Sequence, residues 1–204
     1  MSDRTIQPLD GARLEQSGAL LGRAFTNDPV YAAILPDALA RLEQLTWLNT
    51  RLLRFVLRRG LLYTTTTLEG VLGCLTPEHP SLNAWDVLTS GLLSTPQHLG
   101  QAGCRRLRHY NQARARLRRT HAPRPHWYFF VLGVDPLYQG TGIGTRLMQR
   151  ALADAAAAGA GVYVEATTLA NARFYERLGL ERLAEGELPG SAVPFWTLGK
   201  APPA

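Results

Sequence analysis

Lysine is almost missing from this chain: 21 of its 22 basic residues are arginine, and Lys200 is the exception. Cysteine is scarce too, with only Cys74 and Cys104, and their spacing matches no metal-ligand pattern. That excludes a disulfide framework and a zinc ribbon or finger, and leaves two reduced thiols. No apolar stretch approaches the ~18 residues that span a bilayer, and the opening MSDRTIQPLD has neither an apolar h-region nor a basic amphipathic pattern. The expectation is a cytoplasmic protein with no membrane partner. Acid is absent from one segment, since Arg105 to Arg119 holds seven arginines and no carboxylate. The net charge of +6 is therefore local, the rest of the chain summing to −1. With 204 residues the chain is long enough for one full core, and residues 1–204 read as a single domain.

Periodicity supplies the elements. TIQPLD reads as a short edge strand, and LEQSGALLGRAF as a helix ended by Asn27-Asp28-Pro29. From Asp37, Leu42, Leu45, Leu48, Leu52 and Phe55 recur at helical spacing up to Arg58-Arg59 and Gly60, read as a basic last turn and a C′ glycine. LLYTTTT and VLGCLTP form a hairpin through Leu68-Glu69-Gly70. A helical insertion over about residues 83–120 follows, with a second helix start at Thr95-Pro96. In it Leu99, Leu107, Tyr110 and Leu117 share a face, and the arginines read mainly as a solvated one. Trp127 to Val134 is the longest strand signal, uninterrupted and aromatic, as a central strand should be. A helix from Ile143 to Gly159, a strand from Gly161, a short helix closed by Gly179 and two last strands complete the chain.

The glycines between the central strand and its following helix carry the chemistry. A strand, a glycine turn and a helix N-terminus in that order form an anion site, because unpaired N–H groups converge and the helix dipole adds roughly half a positive charge. A Walker loop would need G-x-x-x-x-G-K-[ST], whereas Gly142-Ile143-Gly144 runs into Thr145 and Arg146. A dinucleotide fold is the more serious rival, since Glu165 lies 21 residues after Gly144 at a strand end. Against it, the glycines read G-T-G-I-G, and the 39 residues beyond Glu165 are too few for a second nucleotide-binding half.

The third form is Q-x-x-G-x-G, from Gln139 through Gly142 to Gly144, with Leu132-Gly133-Val134-Asp135-Pro136 before it and Asn171-Ala-Arg-Phe-Tyr175-Glu-Arg-Leu-Gly179 after it. Over residues 126–181 the chain resembles the GNAT superfamily of acyl-CoA-dependent N-acetyltransferases, with leucine in place of the more frequent phenylalanine after Gly179. H-W-Y-x-x-x-L-G-V-D-P and the V-E-A-T strand look like the group that includes puromycin N-acetyltransferase. The resemblance implies an α/β fold: a mostly antiparallel mixed sheet of about seven strands with helices on both faces, splayed beside the central strand. It implies acetyl-CoA as co-substrate, no metal, and direct attack by a primary amine, here of a small molecule, in a monomer or homodimer. The implied cofactor set is Leu132, Gly133, Val134, Gln139, Gly140, Thr141, Gly142, Ile143, Gly144, Thr145 and Asn171, with the Val134 N–H aimed at the thioester oxygen and Tyr175 beside the leaving sulfur.

An alkyl ammonium must lose a proton before it can attack. Glu165 leads as the base: Val162, Val164 and Ala166 share one face of their strand, leaving Glu165 with Tyr163 and Thr167 on the other, where an acid has to be paired or used. His126, and Glu78 or His79 through water, are the other candidates. Asp28 and Tyr31 flank a loop where a carboxylate would meet a cationic amine and a ring would wall its channel. Two rival readings of the chain are a catalytically inactive acyl-CoA-fold module whose arginine helix binds RNA or another acidic partner, and a dinucleotide-binding oxidoreductase domain. Nucleic acid is the less expected partner, because the arginine content follows the composition of the whole chain.

Overall fold

The computed structural model describes residues 5–79, 83–187 and 193–203; Leu188, Ala192 and Ala204, read from the sequence as strand ends and tail, lie outside them. Seven strands form one sheet in the order β1-β2-β3-β4-β5-β7-β6: Ile6–Pro8, Gly60–Thr65, Gly70–Leu75, His126–Val134, Gly161–Ala166, Glu181–Glu187 (β6) and Pro194–Lys200 (β7). Every neighbouring pair is antiparallel except β4 and β5.

Helices α1 (Leu14–Phe25) and α3 (Ala38–Arg59) cover one face of the sheet, and α6 (Ile143–Ala157) and α7 (Leu169–Arg177) the other. The alternation of β5 decides which side chain serves which layer. Val162, Val164 and Ala166 join Ile143, Leu147 and Met148 in one core, while Tyr163 joins Phe55, Val56 and Leu21 in the second. A third cluster packs α2 (Pro29–Ile34) and α5 (Thr95–His121) against α3, with α4 (Ala84–Ser90) preceding α5. Among the described residues no helix is long and apolar enough to cross a membrane.

Three local expectations are corrected. Gly60 is not a left-handed cap: its φ of −160° is extended, and it opens β2 where a Cβ would lie 1.9 Å from the Cys74 carbonyl oxygen. The loop after α1 goes straight into α2, because Asp28 accepts from the N–H groups of Val30 and Tyr31 with Pro29 in the first turn. The arginine helix α5 breaks at Gly100 (φ 66°, ψ 165°), and the arginines beyond the break do not form one solvated face.

The sheet is deliberately uneven at β4. Gly73 pairs with Val131 and Cys74 with Phe129, so Phe130 is an extra residue without a partner on β3. Phe130 and Val131 consequently face the same core as Tyr128, whereas Leu132 and Val134 return to the other side. A bulge bends and twists its strand. On the opposite edge, pairing with β5 runs only from His126 to Tyr128 and stops there. The two parallel strands diverge from that point, and β4 continues to Val134 with no strand paired to its β5-facing edge among the described residues.

Candidate functional site

The backbone on the free edge of β4 is oriented by the pairing on its other side. The Asp135 N–H donates to the Glu69 carbonyl of the preceding hairpin (2.9 Å), so the N–H groups of Val134 and, two residues earlier, Leu132 point toward the gap. A cleft of about 640 Å³ opens along this edge. Beyond it, Asp135 sets the exit of the strand: one carboxylate oxygen accepts from the Leu137 N–H (3.2 Å) and the other pairs with Arg23 of α1 (2.9 Å to Nε). Asp-Pro is therefore a staple between strand, turn and α1.

The glycine loop then enters α6. Gly140 and Gly142 have φ of 77° and 83°, a region that costs an L side chain about 1–2 kcal/mol. No side chain caps α6, and its first internal bond runs from the Arg146 N–H to the Gly142 carbonyl. The N–H groups of Ile143, Gly144 and Thr145 thus have no partner within the helix and project from its positive end. Thr141 turns away, its hydroxyl donating to the Tyr138 carbonyl (2.7 Å), while Gln139 donates to the Val134 carbonyl (3.1 Å). An anion cradle next to a free strand edge fits a pyrophosphate with an amide-bearing arm. Of the cofactor residues named from the sequence, all line this cleft except Thr141.

Tyr175 and Asn171 close the far wall from α7, whose N-terminus is capped by Thr168. Tyr175 is 8% exposed, and burial pushes its phenol well above the ordinary value even though Arg114 pulls it down. It therefore keeps its proton at neutral pH. Asp28 reaches the cleft from the α1–α2 junction. Its Oδ1 is occupied by the α2 cap, and Oδ2 lies 3.4 Å from the Thr167 hydroxyl at the end of β5. Desolvation raises its pKa above the ordinary aspartate value against the pull of these bonds and of Arg114.

Glu165 lies elsewhere. It lines neither the cleft nor the larger cavity beside it, and its side chain is 5% exposed. Its Oε2 accepts from Arg114 Nε (2.6 Å) and from the Tyr128 hydroxyl (2.7 Å), so of the two sequence readings, paired or used, the geometry gives the first. Arg114 also bonds the Tyr128 hydroxyl and reaches the Phe130 carbonyl at the bulge (3.5 Å), tying α5 to both strands where they part. His126, Glu78 and His79 sit at the closed end of β4, roughly 20 Å along the strand from Val134.

Arg114 is the residue that sequence reasoning missed. It sits four residues after Tyr110 and three before Leu117, on the very stripe that packs into the core. An arginine on an apolar stripe signals a buried partner, and the charge run around it concealed the position. Arg118 is also engaged, over the Tyr128 ring at 4.3 Å, and Arg106 donates to the Ile34 carbonyl (2.7 Å). On the sheet face opposite α6, the larger cavity of about 930 Å³ lies between α3, α5 and β4, with Tyr31 in its wall. Among the described residues, no group of three or more His, Cys, Asp or Glu could hold a metal ion.

Residues 79–180, half of the chain, match the acetyltransferase (GNAT) family. A solved structure from Corynebacterium glutamicum, described as histone acetyltransferase HPA2 and related acetyltransferase, is 22% identical. It covers 99% of this chain and 98% of its own, with a TM-score of 0.71. The C-terminal condensation domain of Ebony, in complex with beta-alanyl-dopamine, is 9% identical over 98% of this chain and 99% of its own, with a TM-score of 0.64. A ribosomal-protein alanine N-acetyltransferase of Escherichia coli is 13% identical over 97% and 92%, with a TM-score of 0.54.

Proposed function

The chain belongs to the GNAT acetyltransferase family, and from that premise we propose that it moves the acetyl group of acetyl-CoA to a primary amine, of a small molecule, by direct attack. The observation that carries this is the free edge of β4 running into the uncapped N-terminus of α6. When bound, acetyl-CoA supplies an activated acyl thioester. The N–H groups of Ile143, Gly144 and Thr145 hold its pyrophosphate, and those of Leu132 and Val134 bind the arm and polarise the thioester carbonyl.

Asp28 takes the role for which Glu165 was the first candidate. Glu165 is engaged by Arg114 and the Tyr128 hydroxyl and lies outside the cleft, whereas Asp28 has a raised pKa, an oxygen held only by the 3.4 Å bond from the Thr167 hydroxyl, and a place in the cleft. Asp28 accepts one proton from the ammonium, the neutral nitrogen bonds to the carbonyl carbon, and the carbon–sulfur bond breaks. Tyr175 donates a hydrogen bond to the departing sulfur. Complete proton transfer from Tyr175 is uphill, because a thiolate conjugate to a pKa of about 8.5 is the weaker base. The thiol takes its proton from the nitrogen or from solvent.

The cysteines support a direct route. Cys74 is buried with its thiol pushed well up by desolvation, and Cys104 is raised for the same reason, so neither is a ready nucleophile. Initial-rate kinetics with an amine panel, followed by thiol release, should give intersecting rather than parallel double-reciprocal lines. Tyr175→Phe should lower kcat roughly 10- to 100-fold, the value of one hydrogen bond to a charged group, while leaving the acetyl-CoA Kd unchanged. Parallel lines would point to an acyl-enzyme, and an unchanged kcat would remove Tyr175 from the reaction.

A further inference from the structure

The larger cavity has a chemical bias that the family relationship does not supply. At about 930 Å³ it has room for a drug-sized molecule. Leu48, Leu52, Leu107, Tyr110 and Phe130 give it apolar and aromatic walls. No aspartate or glutamate lines it, whereas Arg105, Arg108, Arg114 and Arg118 do. Arg114 is neutralised by Glu165, but Arg105, Arg108 and Arg118 form no ion pair among the described residues. Arg118 is spent on the Tyr128 ring. Arg105 and Arg108 are exposed, on a helical segment without a single acid to balance them.

Successive residues of β4 line the cavity and the cleft. Phe130 and Val131 line the cavity, and the next residues, Leu132 to Val134, line the cleft. Asp28 in the cleft and Tyr31 in the cavity are joined by the α2 cap, the Tyr31 N–H donating to Asp28 Oδ1 at 3.2 Å. That bond sets Asp28 beside the cavity wall, and Arg105 and Arg108 belong to the lining of the same cavity.

We propose that the acceptor is an amphoteric amine: a primary ammonium directed at Asp28, an aromatic or similarly bulky apolar body against Leu48, Leu52 and Phe130, and a carboxylate at the far end paired with Arg105 and Arg108. This rests on the reading of the β4 cleft as the acetyl-transfer site. The same lining disfavours a polycationic acceptor, whose second charge would lie against arginines with no acid in the lining.

The test uses three probes that share an aminoethyl-phenyl body: 4-(2-aminoethyl)benzoate, its methyl ester, and the analogue with an aminomethyl group in place of the carboxylate. Calorimetric titration into the full chain without acetyl-CoA should rank carboxylate over ester by roughly 10- to 100-fold, and ester over diamine. In Arg105→Gln/Arg108→Gln the ratio of carboxylate to ester affinity should fall toward one, and Arg108→Glu should move the preference toward the diamine. Both positions are exposed, so these variants test charge rather than folding. Equal affinities, a diamine preference in the parent chain, no binding of the carboxylate at millimolar concentration, or a ratio that survives both variants would overturn the proposal. Thiol release on the same probes separates the two claims. Arginine-dependent binding without transfer would retain the pocket and sink the acetyl-transfer reading, and transfer without carboxylate preference would do the reverse.

Discussion

Asp28→Asn should fold as well as the parent chain and lose turnover by roughly 10²- to 10⁴-fold, the usual contribution of a positioned general base. Asparagine caps a helix about as well as aspartate, so the bonds to the Val30 and Tyr31 N–H groups are retained and α2 keeps its start. The linkage argument gives the sign of the stability change. Desolvation raises the Asp28 pKa in the folded state, so the folded chain binds this proton more tightly than the unfolded one. The group then costs stability as pH rises from the unfolded pKa through the raised folded value, and its charge is a burden at neutral pH. Removing that charge should leave the melting temperature at pH 7 equal or higher, while activity collapses. In the parent chain, kcat/KM should fall as pH drops through the same raised value, and this acidic limb should vanish from the residual activity of Asp28→Asn. A variant that melts early, or one that turns over normally, would contradict the assignment.

Arg114→Met should be the most destabilising single change on the arginine helix, at about 3–5 kcal/mol out of the 5–15 typical of a domain. The cost comes less from the lost attraction than from what is left behind. The Glu165 side chain is 5% exposed, the Tyr128 hydroxyl loses the Arg114 donor and keeps only its own bond to Glu165, and the remaining carboxylate has one buried oxygen already without a partner. The double variant Arg114→Met/Glu165→Gln should recover much of the loss, because the buried charge goes with its partner. Denaturant melts of the two singles and the double give the coupling energy. Additive effects would mean that the pair does not hold the parting strands together. Arg116→Gln and Arg119→Gln, both exposed, should change stability little.

The contrast between Arg114 and its neighbours shows where sequence reasoning ran out. Trp127 to Val134, the glycine loop and α6 were legible because each follows a local rule: a β-branched and aromatic run, positive-φ glycines, and an apolar stripe of period 3.6. The closure of α7 by Gly179 follows from local capping geometry in the same way. The bulge at Phe130 leaves no such trace, since an uninterrupted apolar run reads identically in either register. Glu165 could be located on its strand face from the alternation of Val162, Val164 and Ala166, but its partner lies 51 residues away on another element. Only tertiary packing decides whether such an acid is paired or catalytic. Asp28 was legible as a residue to watch and illegible as a base, because its raised pKa comes from burial between α2 and the end of β5.

The most direct measurement is calorimetric titration of acetyl-CoA into the full chain and into Gly142→Glu. That substitution puts a carboxylate at the positive end of α6 and a side chain at a φ of 83°. Micromolar binding by the parent chain, reduced at least 100-fold in a variant whose circular dichroism is unchanged, is the predicted result. Equal affinity of the two proteins, or no binding by the folded parent chain, would contradict the assignment of the β4 edge and glycine loop as the acyl-donor site.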